Sequence, residues 1–241
     1  MHLTLLSTGS KTIVLLLVLY SSWCVAQVSE DYKSKHQVCL ELDKNGQFKE
    51  CLDCYLALLH SEECSSSDSL LFRNYLNVGI VYSNLYQAQK GLLYLDSSLL
   101  YRHAITSEAT VAEVYDIQSL CYFMLGQFKQ SERVLLNAIQ IQSDFRDTTK
   151  LIKHYSFMIT LFSEQNLFPK AKVYQDKFRE LVFKKYDDNH PKVGNFFFSE
   201  GRYYANQLLH HKAIESFKKS LRIAQINRGK EDFRTIGSLQ S

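Results

Sequence analysis

Turn-forming residues are scarce in this chain. Its 241 residues include 2 Pro and 9 Gly. That excludes collagen-like and Pro-rich classes and argues for long helices joined by short loops. An excess of one charge is also missing. Lys and Arg number 28 against 25 Asp and Glu, for a net charge of +3, so there is no electrostatic case for a nucleic-acid partner. The usual catalytic signatures are absent too. No Gly-x-Ser-x-Gly, no glycine-rich phosphate loop and no His-Glu-x-x-His occurs, and neither enzymatic activity, a cofactor nor a metal is expected. Disorder is excluded by composition, since 46% of the residues are hydrophobic and 22% charged.

Residues 1–26 differ from the rest. Lys11 is the only Lys, Arg, Asp or Glu before Glu30, and it precedes the apolar run Ile13–Tyr20 and then Ser21-Ser22-Trp23-Cys24-Val25-Ala26. A basic start, a short apolar core and small residues before a cut read as a secretory signal cleaved after Ala26. The mature chain is then periplasmic or secreted. The alternative is an uncleaved N-terminal membrane anchor. The run is well short of the roughly 20 apolar residues that span a bilayer. No second apolar segment follows, so no membrane partner is expected for residues 27–241.

What the sequence does contain is a period. Mostly small residues that precede a ring or Leu by three recur as Cys39/Leu42, Gly79/Tyr82, Ser119/Tyr122, Ile159/Phe162 and Gly201/Tyr204, at steps of 40, 40, 40 and 42, with Ile159 the weak member. Twelve residues after each first member stand Cys51, Gly91, Ser131, Ala171 and Ala213. Four further on come Tyr55, Leu95, Leu135, Gln175 and Phe217. Within each half-period apolar residues recur at three and four, one face of an α-helix. Two helices share a period, and a small residue on one must face a small residue on the other where they cross closely. Gly46 and Gly126 suit a left-handed helix terminus, with Asn166 in that role in the fourth unit. Tyr86 and Leu208 hold the same place in units two and five, where looser turns are expected.

These residues resemble a tetratricopeptide repeat (TPR), above all Leu125-Gly126-Gln127-Phe128 with Ser131, Leu135 and Ala138, and Gly201, Tyr204, Ala213 and Phe217. The 40–42 step is similar to the longer repeats of kinesin light chains, and Asn189-His190-Pro191-Lys192-Val193 resembles a helix start of that variety. The resemblance implies an all-α fold: an α-α superhelix, a right-handed solenoid of antiparallel helix pairs. The pairs are expected at about 33–62, 68–105, 108–142, 147–186 and 190–228. Residues 229–241 open a partial sixth unit.

In that architecture the first helices line a concave groove. The expected partner-binding residues are Leu76, Ile80, Asp116, Leu120, Phe123, Phe198 and Arg202. The Lys, Arg and Asn pattern of chaperone-tail clamps is not found at the positions chosen, so that ligand is not carried over. The function this implies is a non-catalytic scaffold binding a protein or peptide through the groove. The alternative is a sensory or regulatory arm of a longer signalling protein, since exported arrays of this kind resemble the front ends of sensor kinases and CHAT peptidases. Oligomeric state is not readable. Cys51 and Cys54 have no second pair to complete a zinc spacing. They read as small packing residues, or else Cys39 and Cys51, facing each other across the first crossing, form a disulfide.

Overall fold

The computed structural model describes residues 30–144 and 148–228. The expected signal over 1–26 and the partial unit over 229–241 lie outside them. Among the described residues every regular element is helical. In chain order these are α1 (30–44), α2 (Phe48–Leu59), α3 (Glu62–Ser65), α4 (Asp68–Asn84), α5 (Ala88–Leu100), a 3-10 turn (Arg102–Ala104), α6 (Glu108–Met124), α7 (Phe128–Asp144), α8 (Thr148–Ser163), α9 (Phe168–Lys185), α10 (Pro191–Asn206) and α11 (His210–Arg228). The chain divides into two compact units after Thr106.

The first unit holds α1–α5. Its core gathers Tyr32, Cys39, Cys51, Tyr55, Val78 and Val81. The short α3 was not expected from the sequence. The Ser61 hydroxyl accepts from the Cys64 amide at 3.2 Å and starts it. The next cap is Ser67, whose hydroxyl accepts from the Leu70 amide. The second unit holds α6–α11, with a core built around Ile152, Met158, Phe162, Phe178 and Phe196.

Each helix pair is closed by one repeated turn. Gly46, Tyr86, Gly126, Asn166 and Leu208 all adopt positive φ, between 57° and 72°. The carbonyls of Leu42, Tyr82, Tyr122, Phe162 and Tyr204 accept from the amides of Gln47, Gln87, Gln127, Leu167 and Leu209 at 2.8–3.0 Å. This is the Schellman closure, which satisfies the last carbonyls of the outgoing helix. The expectation of looser turns at Tyr86 and Leu208 is therefore corrected. Both side chains are forced into the left-handed region, at about 1–2 kcal/mol each, because the hydrogen bonds of the closure require it.

The crossings explain the small residues. A Cβ on Gly79 would stand 2.7 Å from Leu95 Cγ, and one on Gly201 would stand 2.6 Å from Phe217 Cδ1. Glycine is the residue that lets these helices approach so closely. Above the crossings a cation recurs. Lys90, Lys170 and Lys212 sit over the rings of Tyr82, Phe162 and Tyr204 at 5.5, 5.1 and 5.6 Å from the centroids. Each Lys comes from the second helix of its pair and lies eight residues after the ring, so the repeat carries its own cation–π contact.

The first crossing corrects the expected disulfide. Cys39 is bonded to Cys54, not to Cys51, with a Cα–Cα distance of 5.6 Å. Cys51 is a free, buried thiol that donates to the Cys39 carbonyl at 3.5 Å. It fills the close crossing and points at the α1 backbone. Cys54, nearly one turn on, reaches the Cys39 side chain instead.

Candidate groove of the second unit

An open groove of about 840 Å³ runs along α8 and α10. The α8 wall presents Thr149, Lys153, Ser156 and Thr160, one strip at helical spacing that Glu164 continues just past the helix end. The α10 wall presents Lys192, Asn195, Phe198 and Arg202. Phe123 from α6 and Phe157 from α8 add aromatic surface, their rings 5.5 Å apart at 67°. Phe198 leans on Phe217 of α11, 5.6 Å away. These rings are thus held by the fold while their outer edges face the groove.

Four cations line the groove, Lys150, Lys153, Lys192 and Arg202, against one carboxylate, Glu164. The Ser156 hydroxyl donates to Ser199 on α10 at 3.5 Å and links the walls. A cationic trough with an aromatic floor offers charge-assisted hydrogen bonds to carboxylates and apolar pockets between them. Among the described residues no group of three His, Cys, Asp or Glu is placed to hold a metal ion.

Of the residues chosen from the sequence, Phe123, Phe198 and Arg202 line this groove. Asp116 does not. Its carboxylate meets the buried imidazole of His154 at 2.5 Å, across α6 and α8. Leu120 is 37% exposed but is not among the lining residues. In the first unit Leu76 is buried, only 4% exposed, and presents nothing to a partner. Ile80 is half-buried.

Lys153, Phe157, Glu164, Lys192 and Asn195 were missed. Helical offset from the packed positions points to Ser156, Thr160 and Ser163 on α8 and to Phe198, Arg202 and Ala205 on α10. Ser163 is buried. Extending the same strips about two turns towards each N-terminus at three-and-four spacing reaches Lys153 then Thr149, and Asn195 then Lys192. The signal is present in the sequence, and the strip stops about two turns short of it. That shortfall is also why no Lys, Arg and Asn pattern was found there.

The fold has close counterparts among solved structures. One is a kinesin light chain of nearly identical TPR-like repeats from Podosopora anserina, with a TM-score of 0.68 at 13% identity, covering 82% of this chain and 97% of that one. Another is BtubC from P. vanneervenii, with a TM-score of 0.62 at 14% identity, covering 86% of this chain and 92% of its own. A third is MamA, with a TM-score of 0.53 at 17% identity over 84% of this chain and 96% of its own. The chain therefore has the fold of TPR solenoids. No family model matches its sequence, and no curated protein matches it either.

Proposed function

We propose that this chain is a non-catalytic interaction scaffold that holds a segment of another protein in the groove of α8 and α10. The observation that carries this reading is the lining itself: Phe123, Phe157 and Phe198 below Lys153, Lys192 and Arg202, on helices whose packing fixes them before any ligand arrives. Preformed aromatic anchors beside cationic side chains are a usual basis of segment recognition. The TPR fold supports the same reading. The thiols support a structural role over a reactive one. Burial pushes the Cys51 thiol up to about 11 and raises that of Cys64, so neither is a nucleophile near neutral pH.

We further propose that the mature chain works outside the cytoplasm. Support comes from the signal-like residues 1–26 and from the Cys39–Cys54 bridge, which suits an oxidising compartment.

The test is a peptide selection on the immobilised full chain, followed by calorimetric titration of the selected peptide. Lys153→Glu/Arg202→Glu should weaken it at least about tenfold, because the reversal sets like charges against the ligand's carboxylates. Equal affinity with unchanged helicity would place the ligand elsewhere.

A further inference from the structure

A second concavity lies on the other helices of the same unit. The first groove is walled by α8 and α10. This one, about 480 Å³, lies between α9 and α11. Phe183 of α9, Phe197 of α10 and Ile223 of α11 give it an apolar lining, and Lys219 and Arg222 supply cations against one carboxylate, Asp188. Lys219 is held over the Phe197 ring, 5.2 Å from its centroid. Arg179 lies over Phe183 at 5.5 Å. The Asn227 amide donates to the Asn189 carbonyl at 2.7 Å and ties α11 to the loop before α10.

Charge sets this region apart from the whole chain. The α9 sequence carries six Lys and Arg against two carboxylates, and α11 carries five against one, whereas the entire protein is only +3. Among the described residues no carboxylate forms an ion pair with Lys219 or Arg222. Exposed apolar side chains are interspersed, with Phe183 at the cleft and Val173 and Ile214 along the helices. Solvation alone explains surface lysines. It does not explain why Lys219 and Arg222, which pair with no described carboxylate, both line a concave site with two phenylalanines.

We infer that the α9–α11 cleft is a docking site for an acidic protein segment, with an aromatic or aliphatic side chain seated against Phe183 and Phe197 and flanking carboxylates on Lys219 and Arg222. Charge complementarity selects an acidic partner. Concavity favours a polypeptide with an anchoring side chain over a lipid surface, which needs cations and exposed apolar groups but no cleft. The site is separate from the α8–α10 groove and stands without it.

The test uses the full chain, isotope-labelled for NMR, and a soluble peptide repeating Glu-Glu-Phe. Addition should shift the amides of Phe183, Phe197 and Ile223. Lys219→Glu/Arg222→Glu should weaken those shifts at least about tenfold, as expected for paired charges, with Lys219→Gln/Arg222→Gln in between. Lys153→Glu/Arg202→Glu, in the other groove, should leave them unchanged. Shifts confined to the α8–α10 groove would overturn the proposal and leave that groove's role intact. No binding on either face would also overturn it. So would co-sedimentation with phosphatidylglycerol vesicles in the absence of any peptide shift, which would assign the face to a membrane.

Discussion

The Ser131 hydroxyl donates to the carbonyl oxygen of Ser119 at 2.7 Å, from one helix to the backbone of its partner. The Cys51 thiol makes the same link to Cys39 at 3.5 Å, eighty residues earlier in the repeat register. Crossings this close leave room for a hydroxyl, a thiol, a methyl or a hydrogen atom. We expect Ser131→Ala to cost about 0.5–1.5 kcal/mol for the lost hydrogen bond. Ser131→Leu and Ala213→Leu should each cost about 1–3 kcal/mol through overpacking. Denaturant unfolding measures all three. Unchanged midpoints for the leucine variants would mean that these positions are not at the crossings.

The turn residues give a test of opposite sign. Leu208 and Tyr86 adopt positive φ while 74% and 86% exposed, so their side chains contribute little packing to set against the backbone strain. Leu208→Gly and Tyr86→Gly should each stabilise the protein by about 1 kcal/mol. A drop in melting temperature for both would show that the side chains do work the strain argument omits.

The Cys39–Cys54 bridge closes a separation of 15 residues. Breaking it with Cys54→Ser should cost about 3 kcal/mol on the chain-entropy scale. Mass mapping without reductant should find Cys39 and Cys54 joined. Cys51 should be unpaired and slow to alkylate near neutral pH, since burial pushes its thiol to about 11. A Cys39–Cys51 peptide in that map would contradict the assignment.

His36 sets a pH dependence. It stacks on Tyr32 and meets Tyr55 edge-on. Burial, and then the nearby Arg73, hold its imidazole below the ordinary value. The unfolded chain therefore takes up this proton first as pH falls below about 6.5, and the fold loses stability there. Above that range the contribution is fully present. His36→Phe should flatten the loss between neutral and mildly acidic pH. Identical pH dependence in the two proteins would contradict this.

Much of the fold was legible because it repeats. Five registers of small residues at 40–42 spacing located the crossings, since only close packing demands Gly79, Ser119 and Gly201 at those places. What stayed hidden depended on direction in space. Spacing could not say whether Cys51 or Cys54 points at Cys39, because both lie on one turn of α2. It could not show that Leu208 would accept a left-handed backbone, which follows from the hydrogen bonds of the closure and not from its own preference. The groove was half legible: helical spacing reaches Ser156 and Thr160 on α8 and Phe198 and Arg202 on α10, which line it, but stops short of Lys153 and Lys192. Asp116 falls among the expected partner-binding residues because no sequence rule brings His154 of α8 against it.

The groove itself is most directly tested by photo-crosslinking. A benzoylphenylalanine at position 198, facing the α8–α10 groove, should capture the peptide selected on the intact chain. The same probe at position 136, an exposed leucine of α7, should not. Capture at 198 alone is the result expected of a scaffold that binds through this groove. Capture at 136 with none at 198 would contradict it.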